Sequence, residues 1–186
     1  MSCVFWSRIM QHAMQEVISR SRLEECVSRL GEQISRDYAA GDLVLVAVLG
    51  GAFVFAADLC RRISIDCAID FVRVASYGTG TSTSGNICLV QKPSLDLRGK
   101  DILVVEDIVD TGMTLQWLIG YFHSQAVASV KLCVLIDKKE RRRVPLAADY
   151  VGFTLDHGFL VGYGLDFAEK YRNLPAIYTL EEATAS

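Results

Sequence analysis

The sequence predicts an α/β fold: an open, mostly parallel central sheet flanked by helices. Three observations carry that prediction. Continuous apolar runs recur at 43–48, 102–105 and 132–136, the last within a strand over Val130 to Ile136, as strands covered on both faces require. Helical periodicity fills the stretches between them, so β and α elements alternate through the middle of the chain. The first two runs each lead into a glycine-containing turn that opens a helix, and ligands of open α/β sheets bind beyond such strand ends.

The remaining bounds come from size and charge. With 186 residues and 51% apolar content, the chain suits one substantial domain. Its first segment, Met1 to Met14, is interrupted by Arg8, Gln11 and His12 and lacks the apolar stretch and cleavage site of a secretory signal, so a cytoplasmic protein is expected, with no membrane partner. Six cysteines are scattered singly without a C-x-x-C pair and read as buried thiols. A net charge of −3 argues against nucleic acid as the main partner.

Taken in order, residues 1–18 are too weakly patterned for an assignment. Ser21 with Glu24 makes a capping box, and Leu23, Cys26, Val27, Leu30 and Ile34 then repeat at helical spacing as far as Tyr38, with Gly41 as the stop. The strand Leu43 to Val48 follows, then Leu49-Gly50-Gly51-Ala52 and a helix over Phe53 to Arg62. A glycine pair by itself more often only permits a tight turn; a second such turn in the same sheet favours an anion site. Ile69 to Ala75 is a strand ending at Ser76-Tyr77, and the glycine- and threonine-rich stretch Gly78 to Gly85 has little to pack and reads as a lid. Ile87 to Gln91 returns as a strand, and Lys92 to Lys100 links it to the centre of the chain.

That centre is Asp101 to Leu115. A strand leads into the paired acids Glu106 and Asp107, then into Asp110-Thr111-Gly112-Met113-Thr114 at the start of a helix. Hydroxyls, a conformationally free glycine and unpaired N–H groups at a helix N-terminus suit a phosphate. Three carboxylates within five positions would repel that phosphate, unless Glu106 and Asp107 face sugar hydroxyls or a divalent cation. A phosphorylated sugar with a metal resolves the conflict; simple capping by Asp110 or Thr111 leaves the paired acids unexplained. The helix continues over Leu115 to Phe122, and Val130 to Ile136 is the next strand. In the charged run Asp137 to Arg143, Lys138 stands at a strand end level with the other sites, and the rest reads as a solvated loop. Tyr150 to Leu155 is a further strand. Beyond it, Phe159 reads as core, the usual fate of a lone aromatic, and Asp166 as the cap of a short helix over Phe167 to Tyr171. Glu181 to Ser186 reads as a tail.

The string Val-Val-Glu-Asp-Ile-Val-Asp-Thr-Gly-Met-Thr-Leu closely resembles the phosphoribosyl-pyrophosphate (PRPP) signature of the type I phosphoribosyltransferases. Val-Leu-Gly-Gly-Ala-Phe, Ala-Ser-Tyr-Gly, Leu-Ile-Asp-Lys, Val-Gly-Phe and Phe-Leu-Val-Gly-Tyr-Gly-Leu-Asp extend the resemblance from about Ile18 to Tyr178, toward the hypoxanthine or hypoxanthine-guanine branch. The resemblance implies a single domain over 1–186, with a core at about 38–150 and a hood from about 1–20 plus 151–186. It also implies roles. Glu106 and Asp107 bind the ribose, directly or through Mg²⁺; Asp110, Thr111, Gly112, Met113 and Thr114 cradle the 5′-phosphate; Asp110 exchanges a proton with purine N7. Leu49, Gly50 and Gly51, commonly with a non-proline cis peptide, and Arg172 hold pyrophosphate. Ser76 and Tyr77 ride on the lid. Lys138, Phe159, Leu160 and Asp166 serve the purine, and Asp166 joins Glu106 and Asp107 as a magnesium ligand.

The implied activity is purine salvage: transfer from PRPP to hypoxanthine or guanine, giving IMP or GMP, by a homodimer or homotetramer. One departure stands out, since the family usually has Lys or Arg where this chain has Gly50. The alternatives are a PRPP-sensing regulator of the same fold that binds nucleic acid without catalysis, and an enzyme acting on orotate, uracil or adenine. Lys138 and the Phe159 to Asp166 segment disfavour the latter.

Overall fold

Leu43–Leu49 (β2) lies at the middle of the fold, and all of Leu43 to Val48 is buried. Its alternate residues explain why. Leu43, Leu45 and Ala47 join one apolar cluster with the helix Arg20–Asp37 (α1) and the helix Phe53–Cys60 (α2), whereas Val44, Val46 and Val48 join another with the helix Met113–His123 (α3). A strand covered on both faces has no solvent side, so its sequence cannot alternate with polar residues. The structure, a computed structural model, describes residues 13–77 and 86–181. The expected lid over Gly78 to Gly85 lies outside the described residues, as does most of the tail.

Six strands form the main sheet: β2, Cys67–Tyr77 (β3), Asn86–Gln91 (β4), Asp101–Val109 (β5), Ser129–Lys138 (β6) and Tyr150–Leu155 (β7), in the spatial order β4-β3-β2-β5-β6-β7. All neighbours are parallel except the β3–β4 pair. The chain runs outward from β2 to β3 in one direction and from β5 through β6 to β7 in the other. The order therefore reverses between β2 and β5, and helices leave those two strands on opposite faces. A crevice opens beyond the carboxyl ends of the strands at such a reversal.

A second, three-stranded antiparallel sheet joins Ala13–Ile18 (β1), Ile177–Glu181 (β9) and Leu160–Val161 (β8), in the order β1-β9-β8. It is the hood built from the two chain ends. The weakly patterned residues 1–18 thus contribute a strand whose partner lies more than 150 positions away, a pairing that local periodicity does not reveal. The expected boundary at residue 151 is corrected: β7 pairs with β6 as the edge strand of the main sheet, because Tyr150 is buried in the α1 cluster.

Two local expectations are also corrected. Ser19, not Ser21, is the N-cap of α1, its hydroxyl accepting from Arg22 N, while Glu24 pairs with Arg20 at 2.8 Å instead of closing a capping box. No helix forms over Phe167 to Tyr171; Ala168, Glu169 and Tyr171 take positive φ, and Phe167 pairs with Lys170 as an isolated bridge. Among the described residues, no helix is long and apolar enough to cross a membrane.

Candidate active site

A cavity of about 320 Å³ occupies the crevice between the ends of β2 and β5, lined by Gly50, Gly51, Glu106, Asp107 and the turn from Asp110 to Thr114. The central acids sit differently from the sequence reading. β5 runs on to Val109, so Glu106 and Asp107 belong to the strand rather than to the turn after it. Asp107 is 7% exposed, and its Oδ1 accepts from Ile108 N at 2.8 Å. Burial, and then the adjacent Asp107 charge, push the Glu106 carboxyl well above the ordinary carboxylate range. Burial likewise raises Asp107. Two carboxyls in so little water do not readily ionise together, and the pair is suited to a cation or to hydroxyl donors.

The glycine turn is built around that pair. The Leu49–Gly50 peptide bond is cis. A Cβ at Gly51 would overlap the Asp107 carboxylate, and a Cβ at Gly164 would overlap the Gly51 carbonyl. Glycine is required at both positions because backbone and carboxylate approach where a methyl group would lie. Over Gly50 lies the guanidinium of Arg172, its Cζ 3.8 Å from where a Cβ would stand. Arg172 donates to Gly164 O at 2.8 Å and pairs with Asp166 at 2.8 Å and Glu169 at 3.1 Å. It thereby supplies a positive charge beside the glycine turn, at the position where Gly50 carries none.

At the β5 end, Gly112 is the N-cap of α3, with φ of 80° and no side chain to cap the helix. Thr111 Oγ1 accepts a long bond from Met113 N at 3.5 Å, while Asp110 faces Arg141 instead of the helix, so capping accounts for Thr111 alone. Asp110 Oδ2 pairs with Arg141 at 3.2 Å, while Oδ1 is buried without a hydrogen-bond partner among the described residues. An acceptor held dry and unpaired is costly unless a donor arrives.

Lys138 ends β6 one strand farther along, 8% exposed and 3.3 Å from Glu140. Phe159 is 51% exposed and meets Phe167 edge to face at 5.4 Å, so it is not a core residue. Leu160 is buried in β8. Asp166, beyond pairing with Arg172, accepts from Glu169 N at 2.9 Å. It is not gathered with Glu106 and Asp107: no cluster of three or more metal-binding side chains occurs among the described residues. Ser76 and Tyr77 end β3, next to the undescribed loop.

Sequence reasoning missed Arg142. Read as part of a solvated basic loop, its side chain is only 19% exposed and donates to the carbonyls of Val109, Asp110, Lys138 and Leu146 as well as to Asp137. Nothing in the string Arg141-Arg142-Arg143 distinguishes the middle residue. Gly164 was equally unremarkable until its distance to Gly51 was seen.

Residues 16–168 match the family described as a phosphoribosyl transferase domain. The chain is 43% identical over 170 residues to the hypoxanthine-guanine phosphoribosyltransferase of Streptococcus pneumoniae, covering 91% of this chain and 94% of that protein. It is 41% identical over 170 residues to the hypoxanthine phosphoribosyltransferase of Buchnera aphidicola, over 90% and 96% of the two chains. Among solved structures, a hypoxanthine-guanine phosphoribosyltransferase from Bacillus anthracis aligns with a TM-score of 0.86 at 47% identity, over 90% of this chain and 98% of that one. The hooded α/β fold, the acid pair facing a glycine turn and these matches agree, and the chain belongs to the phosphoribosyltransferase family, in its hypoxanthine(-guanine) branch.

Proposed function

We propose that this protein transfers the phosphoribosyl group of PRPP to hypoxanthine or guanine, giving IMP or GMP and pyrophosphate with magnesium as cofactor. The observation that carries the reading is the meeting, at the β2–β5 reversal, of an acid pair, a glycine turn backed by Arg172 and the glycine-led N-terminus of α3. Those three features match the three parts of PRPP: ribose hydroxyls, pyrophosphate and 5′-phosphate.

In this reading Glu106 and Asp107 hold the ribose, and Asp110, Thr111, Gly112, Met113 and Thr114 cradle the 5′-phosphate. Leu49, Gly50, Gly51 and Arg172 bind pyrophosphate, and Ser76 and Tyr77 carry the lid. Lys138 donates to the purine 6-oxo group, Phe159 stacks on the ring, and the Leu160 backbone and Asp166 meet its edge. As pyrophosphate leaves C1, the ribose ring becomes positive. The Glu106–Asp107 pair stabilises that charge where it develops, while Arg172 stabilises the leaving anion. Asp110 exchanges a proton with purine N7, a role served by its dry, unpaired Oδ1.

Magnesium fits the residues at hand. Such ions are commonly held by one or two carboxylates plus substrate phosphates rather than by an all-protein cage, which agrees with an isolated acid pair and a separate Asp166. Bound there, the ion would neutralise charge on pyrophosphate and orient the ribose hydroxyls. We further propose a cytoplasmic homodimer or homotetramer. The exposed Phe53 on α2, beside Arg61 and Arg62, gives the mixed apolar and charged face that subunits use.

The test is direct. The protein is incubated with PRPP, magnesium and hypoxanthine, guanine or xanthine in turn, and nucleotide is measured. Product with hypoxanthine or guanine is expected; no product with any base, together with PRPP binding, would favour the regulatory reading instead.

A further inference from the structure

The sheet by itself does not fix the two groups that meet the purine. In the β5–β6 ladder the last pair is Val109 with Asp137, and Asp110 and Lys138 are the next residues on each strand. Lys138 is still held by β7, through its pairing with Leu155. Asp110 has left the ladder. Yet purine N7 and the 6-oxo oxygen lie side by side on one edge of the ring, so an acid–base group for one and a donor for the other must keep a fixed separation.

We propose that Arg142 is the positioning residue that sets this separation, locking Asp110 of the phosphate turn to Lys138 of the base-reading strand. The proposal rests on the purine-transfer reading above. Arg142 Nε donates to Asp110 O at 3.1 Å, and Nη2 donates to Lys138 O at 3.2 Å and Val109 O at 3.4 Å. Nη1 donates to Leu146 O at 2.7 Å, and Nη2 pairs with Asp137, itself only 17% exposed. One planar fork thus reaches both strand ends and the loop that returns to β7. Its stem also lies on the phosphate turn, with Cδ 3.3 Å from where a Gly112 Cβ would stand, and Arg143 N adds a bond of 3.0 Å to Thr111 O. A lysine could keep the charge near Asp137. It could not span the carbonyls of both strands, because its donors radiate from a single nitrogen.

Arg142→Lys tests the assignment in a cycle with Lys138→Gln, with kcat, the KM for each substrate and the melting temperature measured for all four proteins. The expected result is a folded Arg142→Lys protein whose kcat with hypoxanthine falls roughly 10- to 100-fold, as loss of near-attack geometry does. In the Lys138→Gln background the same change should cost less than about threefold in kcat, the non-additivity of groups that act together. A purely structural role would instead give equal costs in both backgrounds, and that result overturns the proposal. So does an Arg142→Lys protein at wild-type turnover. Should Arg142→Lys not fold, Asp137→Asn, which keeps shape and frees one arm of the fork, replaces it in the cycle with a smaller expected loss and the same non-additivity. Lys138→Gln alone at wild-type turnover would refute the base-reading role of Lys138, and the proposal with it. Additivity despite a large Lys138→Gln defect refutes Arg142 alone.

Discussion

Replacing Gly51 by Ala puts a methyl group where the Asp107 carboxylate already lies. Neither side yields easily. Asp107 is buried and held by Ile108 N, and the carbonyl of Gly51 is itself packed against Gly164. No positive φ is involved at Gly51, so the cost is steric rather than conformational. Overpacking of this kind costs about 1–3 kcal/mol, and a turn pinned from two sides belongs near the upper end. Alanine recovers about 0.4–1 kcal/mol by restricting the unfolded chain. The net is a loss of about 2 kcal/mol, or roughly 4–8 °C in melting temperature for a protein of this size. Function should suffer more, because the displaced carboxylate is one of the proposed ribose ligands and the displaced turn one of the proposed pyrophosphate sites. Thermal melts by circular dichroism and KM for PRPP measure the two effects. The decisive arm is the double variant Gly51→Ala/Asp107→Ala: relative to Asp107→Ala alone, the added methyl should then cost less than about 0.5 kcal/mol, since the space is open. An unchanged melt and KM for Gly51→Ala, or the same destabilisation with Asp107 truncated, would refute the reasoning.

Three further outcomes follow from the site. Because burial and the Asp107 charge raise the Glu106 carboxyl above its ordinary 4.5, the native protein keeps a proton that the unfolded chain releases. Stability of the unliganded protein should therefore fall as pH rises from 4.5 through the elevated native value, and Glu106→Gln should flatten that slope while lowering transferase activity; melts across this range without ligand check the sign, and a melting temperature of the parent that climbs with pH contradicts it. Asp110→Asn keeps the shape of the turn and gives up an ion pair to a largely exposed Arg141, so the melt should shift little while kcat falls about 10²- to 10⁴-fold; retained turnover removes the acid–base role. Phe159→Ala should leave stability nearly unchanged, since the ring is half exposed, yet raise KM for hypoxanthine roughly 5- to 100-fold through lost stacking, as steady-state kinetics would show.

What could be read from the chain was whatever a local pattern encodes. The doubly buried stretches at 43–48, 102–105 and 132–136 declared themselves through unbroken apolar runs, and the turns that follow the first two through their glycines and hydroxyls. Strand ends were less legible, because β5 and β6 continue past their apolar stretches into charged residues that still pair along the ladder. The cap of α1 was misread by two positions because Ser19 and Ser21 are chemically alike, and only the path of the chain leaving β1 selects Ser19.

The sequence by itself determined the α/β class, the crevice-forming turns and, through one contiguous motif, the acids and turn of the proposed PRPP site, since these depend on neighbours within a few residues. Tertiary structure decided everything that depends on residues far apart in the chain. Pairing of β1 with β9 closed the hood, and Arg172 came to lie over Gly50 from more than a hundred positions away. Gly164 met the carbonyl of Gly51, and Arg142 was drawn from a run of three identical residues to bridge β5 and β6. Burial made the difference there. A guanidinium on the surface and one clasped by five acceptors have the same letter, and only the packed chain sets the solvent each one loses.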